Sequence, residues 1–290
     1  MGEVINHRVV VAALAPAIWG TTFYVTTEYL PPDRPLLAST LRALPAGLVL
    51  VAITRRLPHG DWWWRSLVLG VLNFAAFTPL LFVAAYRLPG GVAATVLAVQ
   101  PLFVALLASR VLHQRLTFRI VVAGAAGLAG VGLLVLRAGA RLDGPGVAAA
   151  LGGAAVTAVA IVLTKRWVSP ASSLATTGWQ LVAGGILLVP LTFALEDVPA
   201  ITARNAAGYT YLAIFGGAVA YVVWFNGIRL LKATQVTFLG LLTPVVAAVV
   251  GWAALGQELT ALQLVGAVVV LAAMTVAQTR TRSDVREIRT

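Results

Sequence analysis

Two stretches of this sequence decide the fold: LASTLRALPAG at Leu37–Gly47 and LATTGWQLVAG at Leu174–Gly184. Six of the eleven aligned positions are identical, and a threonine and a glycine are among them. Further along the chain, Pro101 corresponds to Pro244 at an offset of 143 residues. At the same offset, Gln114-Arg115-Leu116-Thr117 corresponds to Gln257-Glu258-Leu259-Thr260. The chain is therefore predicted to be an internal duplication.

The composition indicates what surrounds the fold. Of the 290 residues, 60% are hydrophobic and 11% are charged, whereas about 25% of the residues in a soluble domain are charged. One soluble core of this size could not bury so much apolar surface. The sequence has no cysteine, which excludes a disulfide framework and a thiolate metal site. We therefore expect an integral membrane protein.

Ten apolar segments are predicted to cross the membrane as helices, each of which needs roughly 20 residues. The apolar residues do not alternate with a period of two, so barrel strands are not expected. The fold class is thus an all-α integral membrane protein. The predicted spans are Val9–Tyr29, Pro35–Ile53, Ser66–Tyr86, Gly91–Leu112, Phe118–Leu136, Gly144–Thr164, Ala171–Leu195, Gly208–Leu230, Ala233–Leu255 and Ala261–Gln278.

The basic residues set the predicted orientation. With the N-terminus inside, fifteen of the 21 Lys and Arg residues fall in inner segments and five in outer segments, while Arg42 falls within a span. This bias is what the positive-inside rule predicts when both termini are cytoplasmic. It also accounts for the formal charge of +11 without nucleic acid as a partner, since the basic residues are scattered between apolar spans.

Each repeat holds five helices, and an odd number forces the second copy to insert upside down relative to the first. The predicted organisation is a cytoplasmic segment at 1–8, a first five-helix repeat at 9–136, a connecting loop at 137–143, a second repeat at 144–279 and a basic cytoplasmic tail at 280–290. Inverted repeats of this kind are the architecture of many secondary transporters. Pores and membrane enzymes can also be duplicated, so the pattern favours a transporter without excluding them.

Several motifs carry a family resemblance over about residues 9–279. They are Ile18-Trp19-Gly20-Thr21-Thr22-Phe23, Thr40-Leu41-Arg42-Ala43-Leu44, Gln100-Pro101-Leu102-Phe103, Gln114-Arg115-Leu116-Thr117, Leu242-Thr243-Pro244-Val245 and Gly256-Gln257-Glu258-Leu259-Thr260. The chain resembles the EamA-type permeases of the drug/metabolite transporter superfamily. The resemblance implies a ten-helix permease with a central cavity, often an exporter of amino acids or other small metabolites. Small multidrug relatives carry a Glu in the middle of the first helix, but Ala13–Gly20 contains no acid here, so their carboxylate-centred proton exchange is not carried over.

Arg42 is the clearest charged residue within a predicted span, and such residues are functional candidates because burial in the bilayer is costly. One interpretation is a counter-charge for a substrate carboxylate. The other, which the family resemblance favours, is a structural Arg that binds helix ends or extends its long side chain towards water. The sequence leaves both open.

Other candidates for the wall of a substrate cavity are polar or aromatic residues within spans. Gln100 and Thr243 are repeat mates that precede Pro101 and Pro244, which release backbone carbonyls one turn earlier and are candidate kinks or gates. A kinked helix mended by its polar residue is the alternative. The remaining candidates are Trp19, Asn73, Phe77, Trp179, Tyr221 and Trp224, each of which could instead pack between helices.

The inventory of side chains argues against an enzyme. His7, His59 and His113 lie in loops or at span ends, no acid lies at mid-membrane depth, and no glycine-rich phosphate loop is present. We expect no metal and no cofactor. The predicted function is a transporter of small organic metabolites, an exporter of amino acids or related amphiphilic solutes, in the cell (inner) membrane. The alternatives are an exchanger of anionic, phosphorylated metabolites and a non-transporting binding protein; the lipid bilayer is the surrounding partner, and the chain is expected to be a monomer or a homodimer.

Overall fold

The computed structural model describes residues 7–88, 93, 96–135, 143–256 and 260–278, and every element in these residues is helical. Two segments, Val71–Ala76 and Leu212–Val219, are π-helical. The α-helices are α1 His7–Tyr29, α2 Pro35–Thr54, α3 Trp62–Gly70, α4 Phe77–Arg87, α5 Gln100–Val111, α6 Phe118–Val135, α7 Gly144–Arg166, α8 Ser173–Leu195, α9 Ala203–Tyr211, α10 Ala220–Leu230, α11 Ala233–Leu239, α12 Leu242–Leu255 and α13 Ala261–Gln278.

The irregular segments recur at equivalent places in the two halves. Val71–Ala76 joins α3 to α4, and Leu212–Val219 joins α9 to α10, so each pair forms one long interrupted helix. Turns also precede the two repeat-mate prolines. The chain turns at Ala98 and Val99 before Pro101, and at Gly240 and Leu241 before Pro244, as expected where a proline removes a donor and clashes with the preceding turn.

Helices α2 and α8, which carry the two repeated stretches, pack directly against each other in opposite directions. An ideal Cβ at Gly47 would lie 2.6 Å from the backbone nitrogen of Val182, so only glycine permits this approach. The contacts descend along α8 as they ascend α2: Thr40 with Thr192, Leu44 with Gly185, and Gly47 with Val182. Equivalent helices of the two halves are therefore antiparallel.

Helices α6 and α13 form a second antiparallel pair of repeat mates. A Cβ at Gly130 would lie 3.0 Å from the carbonyl oxygen of Gly266 and 2.9 Å from the side chain of Val269, while one at Gly127 would face Ala273 at 3.6 Å. The small residues of these spans thus serve close packing within one chain.

Eight helical stretches in the described residues are long and apolar enough to cross a membrane. They are His7–Tyr29, Pro35–Thr54, Trp62–Arg87, Gly144–Arg166, Ser173–Leu195, Ala203–Leu230, Ala233–Leu255 and Ala261–Gln278, and shorter apolar helices occupy Gln100–Val111 and Phe118–Leu133. These ten stretches correspond in order to the ten predicted spans, although ten crossings remain a prediction. Four of the predicted features lie outside the described residues: the start of the fourth span at Gly91, Glu258 as the repeat mate of Arg115, most of the connecting loop, and the basic tail.

Candidate functional site

A cavity lies between the two halves of the chain. The volume open to the centres of water molecules is about 130 Å³, so the cavity holds more than a single water-sized group. Its wall comes from α1, α2, α4, α5, α7, α10, α11 and α12 and from the irregular segments between them. Ten of the predicted site residues line it: Trp19, Arg42, Asn73, Phe77, Gln100, Pro101, Tyr221, Trp224, Thr243 and Pro244.

Aromatic rings form part of the wall. The ring of Trp19 lies 4.9 Å from Tyr221 and 5.2 Å from Trp224, measured between centroids. On its other side, Tyr221 meets Phe74 edge to face at 4.6 Å. Tilted and edge-on contacts at these distances are attractive beyond the area that they bury. This part of the wall is therefore a fixed, apolar surface.

The carbonyl oxygen of Gly216, in the second π-helical segment, joins two of the predicted site residues. Trp19 donates its indole Nε1–H to this oxygen at 3.0 Å, and Arg42 donates from Nη2 to the same oxygen at 3.0 Å. π-helical turns are frequent at functional sites, and their hydrogen-bond ladder is irregular. The arrangement connects α1 and α2 of the first half to the second half at one atom.

Arg42 is 3% exposed and satisfies only part of its hydrogen-bonding capacity. Its Nε and Nη1 atoms have no hydrogen-bond partner among the described residues. The centre of the guanidinium lies 5.6 Å from the centroid of the Tyr221 ring, within the range of a cation–π contact. Both sequence interpretations thus have a geometric counterpart, because one nitrogen binds a carbonyl while two remain unsatisfied.

Asn73 is held by a residue behind the cavity wall. Its Nδ2 donates to Oε1 of Gln180 at 3.1 Å, and Gln180 is 2% exposed and does not line the cavity. An amide pair in an apolar interior satisfies both groups and fixes the side chain that faces the cavity. Gln180 therefore acts on the site by positioning Asn73.

The two residues that precede the prolines differ in what they bind. Thr243 donates its hydroxyl to the carbonyl of Pro16 at 3.2 Å, which joins α12 to α1. Gln100 lines the cavity, and its side-chain amide makes no hydrogen bond with the described residues. The proline breaks thus lie in the cavity wall, and one of the two polar residues is available to a solute.

The structure corrects the placement of Trp179, which lies outside the cavity. Its Nε1 donates to the carbonyl of Arg56 at 2.7 Å, and its ring packs against Trp62 and His59, each with centroids 6.4 Å apart. In the repeat, Trp179 is the mate of Arg42. The cavity is lined by Arg42 but not by its repeat mate Trp179. It is therefore displaced from the axis that relates the two halves, towards the side of the membrane at which α2 begins.

Several lining residues were not predicted from the sequence. Thr22 and Thr26 continue the face of α1 that carries Trp19 and Phe23, and their spacing of three and seven residues from Trp19 could have identified them. Thr157 of α7 gave no such signal. The hydroxyls of Thr22, Thr26 and Thr157 are buried and find no hydrogen-bond partner in the part of the chain that the structure describes, so three further polar atoms in the wall can bind a solute.

Comparison with known proteins identifies the class. The model of the EamA-like transporter family matches residues 8–136 and again residues 144–278. The chain therefore belongs to the EamA-like transporter family of multi-pass membrane proteins, and it carries the family unit twice.

Individual relatives agree with this assignment. The chain is 44% identical to the protein PecM of Dickeya dadantii over 270 residues, which is 92% of this chain and 91% of that protein. It is 32% identical to a WAT1-related chloroplastic protein of Arabidopsis thaliana, over 88% of this chain and 66% of the relative. It is 29% identical to the uncharacterized inner membrane transporter YedA of Escherichia coli, over 85% and 82%. A solved crystal structure superposes with a TM-score of 0.81 over 94% of this chain and 96% of that one; at 20% identity this shows a shared fold alone.

Proposed function

We propose that the chain is a ten-span permease of the cell membrane, with both termini cytoplasmic, that transports small organic metabolites by alternating access between two inverted repeats. The solutes are amino acids or related amphiphilic molecules, and the physiological direction is export. The observation that carries the proposal is the cavity between the antiparallel halves, which combines an aromatic wall with unsatisfied polar atoms. Concave, mostly apolar sites with a few convergent polar groups are typical of small-molecule binding.

The position of the cavity supports a site with access from one side at a time. Thr22 and Thr26 extend it along α1 towards Tyr29, the end predicted to be outside. At the opposite end, Trp179 packs against Trp62 and the carbonyl of Arg56. Access to the cavity from the side of the membrane near Trp179 would require the helices there to rearrange. Two halves of similar sequence can adopt two packings of similar energy, which makes such a rearrangement possible.

The charge of the cavity argues against the phosphorylated-metabolite alternative. Arg42 is the one charged side chain among the described residues that line it. Arg229 and Lys232 lie elsewhere, and Arg229 donates from Nη1 to the carbonyl of Ala171 and the hydroxyl of Ser173. A phosphate monoester carries close to two negative charges at neutral pH, for which one guanidinium is a poor match.

The test is saturable uptake and efflux in liposomes that contain the purified protein, with a panel of amino acids, amines, organic acids and sugar phosphates. Trp224→Phe, which alters the cavity wall, is expected to raise the half-saturation concentration of a transported solute several-fold. Trp179→Phe is the matched control, since both tryptophans are 4% exposed but only Trp224 lines the cavity. Equal effects of the two substitutions would contradict the assignment of the cavity, and the absence of saturable flux for every solute would favour the non-transporting binding protein.

The orientation is tested separately. A fluorescent protein that folds only in the cytoplasm, fused after Thr290, is expected to fluoresce, and alkaline phosphatase at the same position is expected to be inactive. The opposite result would reverse the topology on which the direction of transport depends.

A further inference from the structure

Arg42 is the charged group in the cavity wall formed by the described residues. Arg42 is almost fully buried, yet a single neutral carbonyl and one aromatic ring are its polar contacts. Burying an ion is costly, and neither the hydrogen bond to a neutral carbonyl nor the cation–π contact neutralises the charge. A negative charge beside the guanidinium would therefore stabilise it further.

No carboxylate of the described residues forms an ion pair with Arg42. The described acids lie near helix ends, where several have other partners. Glu28 pairs with Arg204, Asp61 with Arg65, and Asp143 with Arg87, while Glu196 accepts from the backbone nitrogens of Leu36 and Leu37. The counter-ion that the buried charge requires is thus not supplied from this part of the chain.

The remainder of the cavity indicates the rest of the solute. The rings of Trp19, Phe77 and Trp224 offer apolar contact, and the hydroxyls of Thr22, Thr26 and Thr157 lack partners. A single cation matches a single negative charge, and a carboxylate accepts several N–H groups of a guanidinium.

From these contacts we infer that the cavity binds solutes through a carboxylate held by Arg42, with the apolar body of the solute against Trp19, Phe77 and Trp224. This inference rests on the proposed function, because it names the chemical class of the transported solute. A carboxylate that accepts from Nε or from Nη1 neutralises the buried charge and satisfies an open donor. Binding of the solute therefore stabilises the buried guanidinium.

The test uses three probes with the same phenyl ring and different charge: phenylacetate, phenethylamine and phenyl phosphate. Binding is measured by the shift in melting temperature of the purified protein in nanodiscs as each probe is titrated. Phenylacetate is expected to bind at least tenfold more tightly than either of the others. The substitution Arg42→Gln is expected to abolish this preference, and Arg42→Lys to retain part of it, since a lysine keeps the charge without the planar fork.

Two features keep a structural role of Arg42 distinguishable. Glutamine retains an amide donor for the carbonyl of Gly216, and Trp19→Phe removes the other donor to that carbonyl while leaving the charge in place. Trp19→Phe is expected to weaken all probes by similar factors and to keep the order of affinities. Loss of the order in Trp19→Phe as well as in Arg42→Gln would assign Arg42 to the fold alone and overturn the inference.

The outcomes also separate the inference from the transport proposal. Equal binding of phenylacetate and phenethylamine, an anion preference that survives in Arg42→Gln, or no response to any probe would overturn the inference, even where liposomes transport other solutes. A charge preference that depends on Arg42, together with no flux of phenylacetate or of the wider panel, would support the inference and overturn transport.

Discussion

Arg42 donates from Nη2 to the carbonyl oxygen of Gly216 at 3.0 Å. Gly216 and its neighbour Gly217 both lie against Arg42, but they differ in the space that surrounds them. A Cβ at Gly216 would lie 3.6 Å from Nε and 3.7 Å from the guanidinium carbon of Arg42, which is ordinary contact. A Cβ at Gly217 would lie 2.6 Å from the carbonyl oxygen of Arg42 and 3.2 Å from the Cβ of Ala46. The contact between Gly217 and the carbonyl oxygen of Arg42 involves backbone, so a rotamer change cannot relieve it.

Gly217→Ala is therefore expected to reduce the free energy of unfolding by about 1–3 kcal/mol, the usual cost of forcing an extra methyl group into a packed interior. Gly216→Ala is expected to change it by less than about 1 kcal/mol, because the added methyl group meets only ordinary contacts. Thermal melting of the two purified variants in the same detergent measures the difference. Equal losses would show that the approach of α2 to the second π-helical segment is not what constrains Gly217.

The buried amide pair of Asn73 and Gln180 is expected to be coupled energetically. Asn73→Leu or Gln180→Met leaves one buried amide without a partner, at a cost of about 1–3 kcal/mol each. The double substitution removes both amides, and its cost is expected to fall short of the sum by about 0.5–2 kcal/mol. Unfolding of the four proteins under one set of conditions gives this coupling; additive effects would remove Gln180 from its positioning role.

The helices were predictable because an apolar run of about 20 residues in a chain with few charges has one stable form in a bilayer. Their ends were less so. The predicted eighth span begins at Gly208, whereas α9 begins at Ala203, because Thr202 and Asn205 form a capping box that starts the helix in a polar sequence. The π-helical segments gave no signal, since their residues have the same apolar pattern as an α-helix.

Within the site, the structure places Trp19, Asn73 and Phe77 around one cavity, where the sequence named each of them as a candidate for its wall. The prediction for Trp179 was wrong about placement because it treated repeat mates as equivalent. A cavity displaced from the axis that relates the halves gives Arg42 and Trp179 different surroundings. The pairing of Asn73 with Gln180, 107 residues apart, depends on packing and could not be derived from local sequence.

Glu196, which follows α8 of the second half, binds the start of α2 in the first half. Its carboxylate oxygens accept from the backbone nitrogens of Leu36 at 2.7 Å and Leu37 at 2.9 Å, in the first turn of α2. Glu196→Ala is expected to lower the free energy of unfolding by about 1–2 kcal/mol, since a capping acceptor and a negative charge at a helix N-terminus are lost together.

Asp197→Ala provides the control for Glu196. Only the backbone carbonyl of Asp197 is engaged, by Nε of Arg34 at 2.8 Å, so loss of its side chain is expected to change stability by less than about 0.5 kcal/mol. If the two substitutions had the same effect on the melting temperature, the cap of α2 would contribute nothing beyond the loss of a surface charge.

Lys165, in the last turn of α7, binds the carbonyl groups at the C-terminal end of α10. Its Nζ donates to the carbonyls of Ile228 at 2.9 Å, Arg229 at 3.0 Å and Leu231 at 2.8 Å. The last carbonyls of a helix have no partner within it and carry the negative end of the helix dipole. Lys165→Met is therefore expected to reduce the free energy of unfolding by about 2–4 kcal/mol, because three charge-assisted hydrogen bonds are lost and the carbonyls stay partly buried.

The adjacent basic residue gives a matched control for Lys165. Arg166 makes one long hydrogen bond, from Nη1 to the carbonyl of Val111 at 3.4 Å, at an exposed position. Arg166→Met is expected to change stability by less than about 0.5 kcal/mol, although it removes the same charge one residue away. Thermal melting of both variants decides the matter. Comparable losses would mean that the positive charge at this end of α7 matters rather than the three carbonyls that Lys165 binds.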